Sequence, residues 1–109
     1  KHRIAKGAGV DVAIEFSAPD AAFGNVRKCL EMGLPVVCGT TAWGDRMAEA
    51  KELCEQNDGA FFYSSNYSVG VNVMFALSRK LAAIMNTVGG YKVSMEETHH
   101  IHKKMGLLL

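Results

Sequence analysis

Apolar residues come in two kinds of run along this chain. Residues 10–16 (VDVAIEF), 34–38 (LPVVC) and 60–63 (AFFY) are short and rich in β-branched or aromatic side chains, which predicts three strands. The first is apolar enough to be buried largely on both faces. Between the strands the period changes to that of a helix. Ser17-Ala18-Pro19-Asp20 reads as a helix start, with Ser17 as the cap and an early proline and acid. Ala22, Val26, Cys29 and Leu30 then share one face until Gly33 stops the element. A second helix is predicted over 43–56, with Met47, Ala50 and Cys54 turned inward, and Asn57-Asp58-Gly59 breaks it. The longest run, 68–88, places Val73, Met74, Leu77, Leu81, Ile84, Met85 and Val88 at helical spacing. Polar residues are sparse there, so cover on more than one side is expected. Gly89-Gly90 ends it, and the alternation in 91–96 (YKVSME) predicts a half-buried strand.

Strand, helix, strand, helix, strand, helix is the order of an α/β fold with a parallel sheet and covering helices. Right-handed crossovers bring the three strand ends to one edge of that sheet. Those ends are Phe16-Ser17, Gly39-Thr40-Thr41 and Ser64-Ser65-Asn66-Tyr67, each turning from apolar to small and hydroxylated. Such residues are good turn formers. They also suit a site where a flat ligand approaches the backbone beyond the carboxyl ends of the strands. No glycine-rich turn follows the first strand, because Gly7-Ala8-Gly9 precedes it. A dinucleotide fold would need its phosphate-binding half upstream of Lys1.

Composition narrows the classes. The chain has 109 residues and a formal charge of +1, with 49% hydrophobic and 21% charged residues, ordinary values for a folded domain. No basic patch interleaved with aromatics supports nucleic-acid binding, and no apolar run approaches the ~18 residues of a membrane span. The first residue is Lys1 rather than Met, so a missing N-terminus is expected. Cys29, Cys38 and Cys54 lack metal spacing and read as reduced thiols of a cytoplasmic protein.

The densest chemistry lies in Glu97-Thr98-His99-His100-Ile101-His102-Lys103-Lys104. Metal ligation is disfavoured, since no H-E-x-x-H spacing or cysteine pair is present. General acid–base work with anion binding fits histidines titrating near neutrality beside lysines. A solvated polar loop fits the same residues.

Taken together, these motifs resemble the dihydrodipicolinate reductase family of diaminopimelate and lysine biosynthesis. The likeness runs from Asp11 to Lys103. It is carried by DVAIEFSAP before the first helix, by Gly39-Thr40-Thr41, by SNYSVGVN entering the long helix, and by Glu97-x-His99-His100-x-x-Lys103. The resemblance implies that 1–67 is the C-terminal part of a Rossmann-type dinucleotide-binding domain. It implies that 68–109 begins the substrate-binding domain, which also builds a homotetramer. It puts NADH or NADPH against Gly39, Thr40, Thr41, Ser64, Ser65, Asn66 and Tyr67. It makes His99 the proton donor and Lys103 the catalytic lysine, with His100 and Thr41 contacting a cyclic dicarboxylate substrate. Two departures stand out. The family's glycine-rich fingerprint and ribose-reading residue would precede Lys1. Its Asp-Ala-Pro-Ser-Gly-Thr loop would follow Lys104, where Met105-Gly106-Leu107-Leu108-Leu109 stands instead. An internal fragment of such a reductase, inactive by itself, is therefore expected. The alternative is a non-catalytic ligand-binding or assembly module that has lost the substrate loop.

Overall fold

The computed structural model describes residues 9–102. The chain divides into two compact units, Lys1–Tyr67 and Ser68–Leu109.

In the first unit three strands, β1 (Ala13–Glu15), β2 (Val36–Cys38) and β3 (Phe61–Tyr63), form a parallel sheet in the order β1-β2-β3. The register sets Glu15 opposite Cys38 and Cys38 opposite Tyr63. Each strand is shorter than its apolar run. The helices α1 (Pro19–Glu31) and α2 (Met47–Gln56) link them, with a single 3₁₀ turn, Gly44–Arg46, leading into α2. The α/β parallel arrangement is thus as the pattern predicts.

The core lies between the two helices and one face of the sheet. Ala22, Phe23, Val26, Cys29 and Leu30 from α1, Val36 and Cys38 from β2, Trp43 and Ala50 make up its buried cluster. Met47, Cys54, Phe61 and Tyr63 pack at its edge. Each large aliphatic buried here contributes about 1.5–3 kcal/mol from apolar transfer. The other face carries Ile14, Val37 and Phe62 in register. Ile14 is 74% exposed, so β1 is covered on one face rather than on both.

Ends of elements follow local chemistry, with one exception. Pro19 opens α1, where a missing N–H costs nothing, and Gly33 at φ +68° follows its last turn. The cap residue is Ala18, and no side chain caps it. The expected cap, Ser17, spends its hydroxyl on the Glu15 carboxylate instead. At the end of α2, Asp58 takes a left-handed φ of +47° and the Gly59 N–H reaches the Cys54 carbonyl at 2.8 Å.

The second unit contains α3 (Val69–Val88). Ser68 caps it, accepting the Val71 N–H at 3.4 Å, and Gly89 at φ +70° ends it. The expected cover on more than one side is not found: no residue of α3 is buried. The strand expected over 91–96 is also absent, for that segment forms no ladder. Alternation alone cannot hold a strand, whose backbone groups need a partner. Val93, meant for the buried face, is 90% exposed. No helix of the described residues is long and apolar enough to cross a membrane.

Candidate functional site

The parallel register carries the three hydroxylated strand ends to one edge of the first unit. The ladder continues past the strands: the Gly39 N–H donates to the Glu15 carbonyl at 2.9 Å and the Ser64 N–H to the Cys38 carbonyl at 3.2 Å. The Tyr67 hydroxyl donates to that same Cys38 carbonyl at 2.9 Å, tying the third end to the second. Burial pushes the Tyr67 phenol up, which keeps it a donor. Gly39, Thr40 and Thr41 therefore lie beside Ser64, Ser65, Asn66 and Tyr67, as the sequence pattern anticipates.

Phe16 shapes the surface of this edge. Its ring lies on Gly39 so closely that a Cβ there would fall 2.2 Å from two ring carbons. The ring meets Tyr67 at a centroid distance of 5.9 Å, and Tyr67 meets Phe62 at 6.1 Å. This aromatic row is exposed, Phe16 by 64%, Phe62 by 60% and Tyr67 by 43%. At the third end the Ser64 hydroxyl donates to the Asn66 carbonyl at 2.7 Å and folds the loop on itself.

The middle end, between β2 and α2, is held from below. Glu15 is only 6% exposed and Thr40 only 5%. The Glu15 carboxylate accepts from the Thr40 hydroxyl at 2.7 Å, the Cys38 thiol at 3.0 Å, the Asn25 amide at 3.2 Å and the Ser17 hydroxyl. The Thr40 hydroxyl in turn accepts the Ser17 N–H at 2.7 Å. Trp43 is buried, and its indole N–H donates to the Thr40 carbonyl at 2.6 Å. Burial alone would push the Glu15 carboxyl up, yet the four donors together outweigh it and hold the group below its ordinary value of 4.5. The Cys38 thiol is pushed up to about 12, by burial first and by Glu15 second. The Thr40 side chain thus faces inward. On this turn Thr41 and the backbone present themselves to solvent.

In the second unit His99, His100 and His102 are exposed and lie outside helix and strand, His102 in a turn. A ring nitrogen of His99 pairs with the Glu97 carboxylate. The His102 N–H donates to His100 Nδ1 at 3.2 Å, and the two rings stand 6.1 Å apart. Lys103 lies outside the described residues. Among the described residues no group of three or more His, Cys, Asp or Glu is placed to hold a metal.

Phe16 is read in the sequence as a strand end, whereas the roles of Glu15, Asn25 and Trp43 escape it. Glu15 does leave a trace, as one of two acids, with Asp11, in the apolar run 10–16. Asn25 carries no signal, because its partners Glu15 and Ser17 lie outside its own helix.

Residues 2–67 match the family model described as dihydrodipicolinate reductase, N-terminus. The chain is 51% identical over 94 residues to a 4-hydroxy-tetrahydrodipicolinate reductase of Christiangramia forsetii, covering 86% of this chain and 39% of that protein. Proteins of the same name from Magnetococcus marinus and Pseudoalteromonas atlantica are each 34% identical, over 93 and 95 residues. These matches cover 85% and 87% of this chain, and 34% of each relative. The chain spans between about a third and two fifths of the length of these curated relatives. No solved structure matches it.

Proposed function

The chain belongs to the dihydrodipicolinate reductase family, and we propose that it forms the nicotinamide-side part of an NADH- or NADPH-dependent reductase. The whole enzyme would reduce 4-hydroxy-tetrahydrodipicolinate to tetrahydrodipicolinate in diaminopimelate and lysine biosynthesis. The observation that carries this reading is the shared edge of three parallel strands, ending in Gly39-Thr40-Thr41 and Ser64-Ser65-Asn66-Tyr67. In parallel sheets a dinucleotide binds beyond such an edge. The residues fit it: the exposed Phe16 and Tyr67 rings offer a flat apolar surface, and Thr41, Ser65 and Asn66 supply polar groups around it.

When bound, the dihydronicotinamide supplies a hydride. The chain's own residues do the rest. The Gly39-Thr40-Thr41 turn and residues 64–67 hold and orient the ring through backbone groups and short polar side chains. Thr41 reaches toward the substrate as well. His99 donates the proton that quenches the charge built up as hydride arrives, with Glu97 orienting its ring. His100 and Lys103 bind the carboxylates of the cyclic dicarboxylate substrate by charge, and Lys103 assists the proton transfer. Homotetramer assembly belongs to the same proposal. A cytoplasmic setting suits it, since Cys29, Cys38 and Cys54 are free.

The test is kinetic. In the full-length protein carrying this segment, His99→Gln should lower kcat by about 10²–10⁴-fold, the scale of one acid–base group. NADH affinity should change little. Unchanged turnover removes His99 from the mechanism.

A further inference from the structure

The buried group that the proposed reaction leaves unused is Glu15. It comes from β1, and its carboxylate meets the proposed nicotinamide turn from inside, at the Thr40 hydroxyl. Its four donors come from four places: Cys38 on β2, Thr40 in the turn after it, Ser17 in the β1–α1 connection and Asn25 on α1. All four are neutral. A buried carboxylate normally takes a cationic partner, because desolvating a charge is costly. Among the described residues Glu15 is instead satisfied by hydrogen bonds alone, an arrangement that fixes directions rather than neutralising charge. The titratable groups facing it are the Cys38 thiol from β2 and the Cys29 thiol from α1, the latter pushed up by burial and then by Glu15.

Thr40 is the link to the surface. Its hydroxyl donates to Glu15 and accepts from the Ser17 N–H, so both roles of that oxygen are used inside the protein. Its carbonyl is taken by the Trp43 indole. The Thr40 side chain and the peptide plane that follows it are therefore set from within. We infer that Glu15 is a positioning residue: its carboxylate, acting through Thr40, fixes the β2–α2 turn in the shape that receives the nicotinamide ring. This rests on the nicotinamide reading above for what the turn binds, though not for the positioning itself.

Trp43 is the sole tryptophan in the chain and hangs on the turn, so its emission reports the turn directly. Glu15→Gln keeps the volume but sets a donor amide among donors. Thr40→Val keeps the shape and removes the link. In the wild-type full chain the Trp43 emission should shift to the red as pH falls below about 4.5, the ordinary carboxyl value. Glu15→Gln should show the shifted emission already at pH 7, with no further acid transition of this kind. Both variants should weaken NADH binding about tenfold, the size of one net hydrogen bond. The double variant should lose no more than either single one. Lowered melting temperatures with unchanged emission and NADH affinity at 10 °C would make Glu15 merely structural and overturn the inference. Additive losses in the double variant would do the same. If wild-type protein binds no NADH while the emission behaves as described, positioning stands and the nicotinamide reading falls.

Discussion

The turn after β2 and the histidine segment both gather polar groups, but they hold them by different means. At the turn, the contacts to Glu15 from Thr40, Cys38 and Asn25 bridge 25, 23 and 10 residues of sequence. In the segment, His99 meets Glu97 two residues back, and His100 accepts from His102 two residues on. Long-range bonds to a buried group exist only when the sheet and both helices are in place, so the turn inherits its geometry from the whole unit. Bonds between neighbours on exposed chain form and break locally, without cost to anything else. A turn set in advance by the whole unit and a histidine segment set by its neighbours make different demands on the fold.

The largest effect should come from breaking what supports the first region. Leu30 is 1% exposed, packs inside α1 and has its Cδ2 only 3.0 Å from where a Gly59 Cβ would stand. Leu30→Ala should cost about 2–5 kcal/mol of unfolding free energy, because the cavity cannot collapse between helices and sheet. Leu81→Ala on α3, where Leu81 is 59% exposed, should stay within about 0.5 kcal/mol. Urea unfolding of the two variants measures the contrast, and equal losses would erase it.

Acidity should separate the regions next. Glu15 has a folded value below its ordinary 4.5, so its stabilising share is present above that pH. It is lost as pH falls from about 4.5 through the lowered folded value. Cys38 works in the opposite sense: its folded value is raised from 9.0 to about 12, so stability falls as pH rises between those limits. The melting temperature of the first unit should therefore hold level between about pH 4.5 and 9 and decline on either side. Glu15→Gln should flatten the acid limb and also soften the alkaline one, since Glu15 helps to hold the Cys38 thiol up, and an acid limb unchanged in that variant would assign it to other carboxyls.

This contrast also explains what could be read from the residues in order. The three strands, α1, α2 and α3 follow from apolar periodicity, because each is specified by a window of neighbouring side chains. Hydroxylated strand ends were legible for the same reason, and the parallel order brings them together. What escaped was set by distance or by missing partners. Ser17 looks like a cap until the fold places a carboxylate beside it, and Glu15 is only an acid in an apolar run until α1, β2 and the turn supply its donors. Residues 91–96 alternate as a strand should, but no neighbouring strand among the described residues completes a ladder. The cover expected for α3 failed likewise, since an apolar stretch states a need for burial and not the thing that buries it.

The smallest effect is chemical and needs no variant. A thiol reacts as thiolate, so burial slows it twice, by blocking access and by raising its pKa. Cys38 and Cys29 are buried, and burial and the Glu15 carboxylate push both thiols up. Cys54 sits at the half-buried edge of the core, on α2. Iodoacetamide at pH 8 should therefore label Cys54 first, with Cys29 and Cys38 following only as the unit opens. Peptide mapping by mass spectrometry gives the order. Glu15→Gln should raise the Cys38 labelling rate relative to Cys54, because it removes the charge that opposes the Cys38 thiolate. Equal rates for all three cysteines in the native protein would mean that the sheet and helices open as readily as the histidine segment.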